Sequence, residues 1–262
     1  MELFDNHAHY DDEKFNADRE YIISEVYKSG VTKLISAGYS LQSSKYAIEI
    51  ANNNDFIYAT CGISPNDIPS TIDEFNVQLN ELETLLENKK VVAIGEIGLD
   101  YYWNKDNKIL QKQAFIAQIE LANKYNLPIV IHTRDAIMDT LDILKNIKKA
   151  VRPGVFHCCP LNEELVKEAL KLGFYISFAG PVTFKNSKNA CNVVNIVPFD
   201  KMLIETDSPY LAPEPKRGTR NDSRNVWLIA KKIAEIKGVD VEKIAKFTYD
   251  NACRVYGLSN NS

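Results

Sequence analysis

Eight short apolar runs alternate with longer amphipathic segments along the sequence, at residues 3–9, 32–37, 56–62, 91–97, 128–133, 154–158, 174–178 and 202–207. Successive strand and helix units around a parallel sheet leave this pattern, because parallel strands need long crossovers and helices supply them. Between the runs, Leu110, Ala114, Ala117 and Leu121 fall on one helical face, as do Ile137, Leu141 and Leu144. Eight such units closing on themselves make a TIM-like (β/α)8 barrel, the α/β fold expected here. An open doubly wound sheet is the alternative, since repeat counting does not prove closure. From Asp222 onward two more helical segments follow, one with Val226, Ile229, Ile233 and Ile236 in phase. These C-terminal helices are expected to pack on the outside or cap one end. The longest irregular stretches, 178–189 and 208–221, both follow predicted strands, and in a barrel such loops form the active face.

A chain of 262 residues, 45% hydrophobic and 25% charged, is in the range of an ordinary globular protein. Without a low-complexity linker, it is expected to form a single barrel domain over 1–262. A formal charge of −4 gives no global attraction to nucleic acid or anionic membrane, so any polyanion must be caught locally. Five cysteines, an odd number, and a charged N-terminus in place of a secretory apolar core lead us to expect a cytoplasmic protein without structural disulfides. No stretch approaches the length of a membrane span, and no obligate protein partner is evident.

Each of the four histidines lies at the end of an apolar run. His7 and His9, two apart, point the same way if the strand continues through them. His132 closes Pro-Ile-Val-Ile-His and His157 closes Gly-Val-Phe-His, the positions from which barrel enzymes present catalytic groups. Any one alone reads equally as polar filler or a hydrogen-bonded core residue; four equivalent placements point to a site. Two acids join them. Glu96 shares a predicted strand face with Val92 and Ile94, and Asp207 shares one with Leu203 and Glu205. A carboxylate at the end of an apolar face is costly to bury unless paired or bound to metal. Four imidazoles and two carboxylates suit divalent ions of borderline hardness (Zn, Mn, Fe or Ni), with Mg less natural beside imidazole. Six ligands exceed one open tetrahedral site and match two ions sharing a carboxylate, which together activate water and clamp a phosphoryl or acyl oxygen.

At these residues the sequence resembles the TatD family of metal-dependent deoxyribonucleases, among the amidohydrolase-like barrels. The matching motifs are Asp5-Asn6-His7-Ala8-His9, Gly95-Glu96-Ile97-Gly98-Leu99-Asp100-Tyr101, Ile131-His132-Thr133-Arg134, Val155-Phe156-His157-Cys158 and Glu205-Thr206-Asp207-Ser208-Pro209-Tyr210-Leu211, with a late Arg217, Arg220-Asn221 segment. They stand in family order from residue 5 to residue 221. The resemblance implies a TIM barrel that hydrolyses DNA phosphodiesters, often exonucleolytically. It also implies one ion on His7, His9, Glu96 and Asp207, a second on Glu96, His132 and His157, and Glu96 as the bridge. Two departures stand out. Where the family usually has Gly-x-His-Pro-His, this chain has Gly62-Ile63-Ser64-Pro65-Asn66, so Ser64 and Asn66 replace two imidazoles that could contact a substrate phosphate. After His157, Cys158-Cys159-Pro160-Leu161 replaces the usual Cys-Phe-Ser-Gly, and Cys159 is expected to be a small apolar filler.

The expected function is therefore cleavage of DNA, single-stranded or recognised at an end, by water activated at two divalent metals. Asp207 is the expected general base, with Glu96 bridging and Glu205 orienting the site from behind. Arg134 and Arg220 are expected to hold phosphate, and Tyr102 and Trp103 to stack on bases or simply pack. Lys185 and Lys188 read as solvated charges. The competing readings are a related barrel hydrolase acting on an ester or amide, such as an aminoacyl ester on tRNA, and a non-enzymatic metal or nucleic-acid-binding protein.

Overall fold

The computed structural model describes residues 1–259, so positions 260–262 of the expected domain lie outside the described residues. Eight parallel strands form one sheet in sequence order: β1 Leu3–Ala8, β2 Val31–Ala37, β3 Ile57–Cys61, β4 Val91–Asp100, β5 Ile129–Arg134, β6 Val155–Phe156, β7 Tyr175–Phe178 and β8 Met202–Ile204. Helices α1 Arg19–Lys28, α2 Leu41–Asn52, α3 Ile72–Leu85, α4 Lys108–Tyr125, α5 Ile137–Asp142, α6 Glu163–Lys171 and α7 Ala190–Ile196 follow strands one to seven. Helices α8 Val226–Lys237 and α9 Val241–Tyr256 follow the eighth. The ring closes just beyond β8, where Asp207 donates its N–H to His7 O at 2.9 Å and His9 donates its own to Ser208 O at 2.6 Å. This is the barrel, and the open sheet is excluded.

Side chains divide into two apolar layers. Leu34, Ile57, Ile94, Ile131 and Ile204 pack outward under the helices. Phe4, Ile35, Val92, Val130, Val155 and Leu203 form the inner layer together with Tyr249, Ala252, Cys253 and Tyr256 of α9. Helix α9 thus covers one end of the barrel, its tyrosines 5.9 and 6.1 Å from the Phe4 ring. The opposite end, where the strands finish, is left for polar chemistry. Among the described residues no helix is long and apolar enough to cross a membrane.

Three local expectations change. On α4 the buried residues are Gln111, Ala114, Phe115, Gln118, Ile119, Leu121 and Ala122, so Ala114 and Leu121 of the expected face are buried while Leu110 and Ala117 are only half-buried. The two glutamines are buried because each satisfies backbone groups: Gln111 serves both the N–H and the carbonyl of Asp100, and Gln118 serves those of Ile63. Strand β8 stops at Ile204, three residues before the expected end at Asp207. Strand β4 runs on to Asp100 and is paired irregularly twice: with β3 between Val91 and Ala93, so Val92 packs inside and Ile94 outside, and with β5 between Ile94 and Ile97. Simple alternation therefore does not deliver Glu96, Glu205 or Asp207 to the mouth; the irregularity in β4 and the turn after β8 do.

Candidate metal centre

The six expected ligands converge at the C-terminal mouth. His7 is the penultimate residue of β1, where a register shift between Asp5 and Ala8 breaks the alternation. His7 and His9 bring their Nε2 atoms to 3.2 Å of each other. Asp207, itself left-handed at φ 55°, stands three residues beyond the end of β8 and sets Oδ1 3.3 Å from His9 Nε2 and 3.8 Å from His7 Nε2. Glu96 lies at the centre with its two oxygens facing opposite ways. Oε2 is 3.5 Å from His7 Nε2 and 3.8 Å from His9 Nε2, whereas Oε1 is 2.9 Å from His132 Nδ1 and 3.2 Å from His157 Nε2.

This donor set fits divalent metal. His7, His9 and Asp207 each offer one ligand atom within 4.8 Å of the others, as do His7, Glu96 and His157. The inward nitrogens of three histidines are left to the cluster because their other ring nitrogen is engaged outside it. His9 Nδ1 is 3.0 Å from Ala37 O, His132 Nε2 is 2.9 Å from Asp100 Oδ2, and His157 Nδ1 is 3.3 Å from Glu205 Oε1. Such outward partners fix ring orientation and tautomer at metal sites. Glu205, fully buried, is itself held by the Cys158 N–H at 2.7 Å and by Asn6 Nδ2 at 3.2 Å.

The charges are strongly coupled. Burial acts to raise the Glu96 carboxyl, but His157, His132 and His7 outweigh it and hold the group well below the ordinary carboxylate range. Burial likewise opposes a proton on His9, yet Asp207 and Glu96 outweigh it and push the imidazole up to about 9. His157 is raised by Glu96 and Glu205 against the same penalty, and His132 by Asp100 and Glu96. His7 goes the other way, lowered first by its own burial and then by the charge of His157, whose ring stacks on it at 4.0 Å.

The expected substrate contacts fare differently. Arg134 is exposed, its guanidinium carbon 3.9 Å from the Tyr102 ring centroid and 5.4 Å from that of Trp103. Trp103 is 68% exposed, so these aromatics form a wall above the mouth and do not belong to the core. Arg220 departs from expectation. Its guanidinium is bidentate to Asp18 at 2.7 and 2.8 Å, donates to Lys14 O at 2.7 Å and lies over the Phe15 ring, so its fork is engaged in joining the last loop to the first. Arg224 is similarly taken by Asp222, and Arg217 lies over Phe184. Lys185 and Lys188 are exposed. Cys159 is buried beside Leu161 and Phe178, consistent with filler.

Three contributors were not singled out from sequence. Asp100 holds His132; Asn6 joins Glu205 to Ser177 Oγ at 2.7 Å; and Asp5 binds the Thr206 N–H at 2.8 Å and hydroxyl at 2.5 Å across the barrel seam. Asp100 carried a usable signal, since it stands four residues beyond Glu96 on the same strand. The partners of Asn6 and Asp5 lie about two hundred positions away and leave no local pattern.

Comparison with known proteins agrees with this geometry. The family model described as TatD related DNase matches residues 4–257. The metal-dependent hydrolase YabD of Bacillus subtilis (strain 168) is 42% identical over 257 residues, covering 98% of this chain and all of that protein. The metal-dependent hydrolase YcfH of Escherichia coli (strain K12) is 36% identical over 261 residues, covering 98% of this chain and 97% of YcfH. Among solved structures, YJJV, a TatD homologue from Escherichia coli K12, superposes with a TM-score of 0.91 at 25% identity, covering 98% of each chain.

Proposed function

The chain belongs to the TatD family and is a metal-dependent hydrolase, and from that premise we propose that it cleaves DNA phosphodiesters, acting on single-stranded ends with two divalent ions. The observation that carries the two-ion reading is the division of Glu96, one oxygen toward His7 and His9 and the other toward His132 and His157. His7, His9, Glu96 and Asp207 would hold one ion; Glu96, His132 and His157 would hold the second. When bound, such a pair supplies the Lewis acidity that activates water and neutralises a phosphoryl oxygen.

The remaining work falls to the chain. Asp207, nearly buried and acceptor-only when ionised, takes the proton of the attacking water. Glu205 keeps His157 turned so that Nε2 faces the site. Arg134 takes a phosphate next to the scissile one, since its guanidinium is flanked by rings and has no carboxylate partner among the salt bridges of the described residues. Tyr102 and Trp103 offer faces on which an unpaired base can stack. Arg220 is no longer assigned to phosphate, because Asp18 already fills its fork.

The test is direct: metal-loaded protein is assayed on single-stranded DNA and on a panel of aminoacyl and simple esters, each with a chelator control. Chelator-sensitive release of nucleotides with inert esters supports the proposal. Ester turnover without DNA cleavage overturns it in favour of acyl hydrolysis.

A further inference from the structure

The hydrogen bonds around Asp100 go beyond what ligation requires. His132 presents Nδ1 to Glu96 and turns Nε2 to Asp100 Oδ2 at 2.9 Å. The same oxygen receives Asn66 Nδ2 at 3.2 Å, from the loop after β3. The other oxygen, Oδ1, receives the backbone N–H groups of Tyr102 at 2.9 Å and Trp103 at 3.0 Å. Gln111 fixes the backbone of Asp100 from α4 on both sides. The Asp100 side chain is fully buried, and a carboxylate so placed is tolerated only because each oxygen is met by donors.

We infer that Asp100 is a positioning residue that sets the His132 ring for the second ion, and that Asn66 is its support. The chemistry follows from valence. An ionised carboxylate accepts at both oxygens, so with Nε2 facing Asp100 the ring carries its proton there and Nδ1 keeps its lone pair for the ion. The alternative tautomer puts a proton where the ion must sit. Asn66 then has a definite role where the family usually has histidine: its amide is turned to Asp100, away from substrate phosphate. The two backbone bonds on Oδ1 tie the aromatic wall to the same carboxylate, so the ligand and the wall share one anchor.

This inference rests on the two-ion reading above, and titration of chelator-stripped protein with Zn or Mn by calorimetry separates the two. Wild-type protein is expected to show two binding steps. Asp100→Asn turns one acceptor oxygen into a donor; it should weaken the second step by about 10–100-fold and leave the first unchanged. Asn66→Ala, on an exposed loop where folding is secure, should weaken the second step by about three- to tenfold, the loss of one hydrogen bond. Circular dichroism checks the fold of both. A structural role alone would weaken both steps together with thermal stability, and that outcome overturns the inference. So does an unchanged second step in both variants. A wild-type protein that takes one ion only overturns the two-ion reading, and the positioning role with it.

Discussion

Glu96 concentrates the electrostatics of the mouth, because among the described residues it is the one carboxylate within 4 Å of all four imidazoles. Glu96→Gln should abolish turnover and lose more metal per chain, measured by emission spectrometry, than His132→Ala, since the second variant spares the His7, His9 and Asp207 donors. Equal loss from the two would count against bridging. Protons give a second handle. In the chelated protein His9 is raised to about 9 by Asp207 and Glu96, and Asp5 to about 7 by burial. A folded value above the unfolded one contributes stability that is complete below the unfolded pKa and lost as pH rises through the folded one. His9 therefore predicts a falling melting temperature for chelated protein from about pH 6 to about pH 9, and Asp5 adds to the fall between about pH 4 and about pH 7. His7, lowered by burial, disfavours the fold only below its unfolded pKa and does not oppose this trend. Bound ions displace the histidine protons, so loaded protein should show a flatter profile and apparent metal affinity should rise across the same window. A chelated protein whose melting temperature is constant over that range would contradict the assigned proton positions. The convergence of the four histidines, Glu96 and Asp207 is legible in the sequence because each ends an apolar run, a placement that burial alone does not explain. The pairing of Arg220 is not, because Asp18 lies 202 positions away.

Strand β4 shows what a helix-and-strand reading captures and where it stops. Its apolar run announced a buried strand, but not the extension that carries Asp100 or the irregular pairing that turns Glu96 inward. Gly98, between these two acids, marks that departure. It adopts φ +142°, and a Cβ there would lie 2.0 Å from His132 O on β5. Gly98→Ala therefore forces apart β4 and β5, the strands that carry Glu96 and His132. The strained backbone and the clash together should cost about 2–4 kcal/mol, read by urea unfolding of the chelated protein. Because the displaced carbonyl belongs to His132 itself, metal retention should fall as well. A stable variant with full metal content would mean that β4 and β5 do not fix the second ligand set. Helical periodicity placed Ala114 and Leu121 of α4 correctly but missed part of its buried face, for a reason no hydrophobic pattern encodes: Gln111 and Gln118 are buried to serve backbone at the ends of neighbouring strands.

The chain as a whole carries a charge of −4, and the cations of its last loop are largely engaged: Arg220 by Asp18, Arg224 by Asp222, and Arg217 over Phe184. The sequence displays a basic rim on that loop; the fold turns part of it into internal fastening and leaves Arg134 as the guanidinium flanking the mouth. A protein that grips one or two phosphates releases few counterions. On single-stranded DNA, log KM should therefore rise with log salt at a slope of only about 0.7–1.4, from about 0.7 per phosphate neutralised. Arg134→Lys keeps the charge but loses the planar fork and its stacking on Tyr102, so cleavage should slow by about tenfold, near 1.4 kcal/mol of transition-state binding, with the slope unchanged. Arg134→Ala should slow it further and lower the slope by about 0.7. Arg220→Ala should leave the slope as it is and lower the melting temperature, since it unfastens the last loop from the first. A slope of three or more in wild-type protein, or one that Arg220→Ala lowers and Arg134→Ala does not, would place the nucleic-acid track along the last loop and remove it from the aromatic wall.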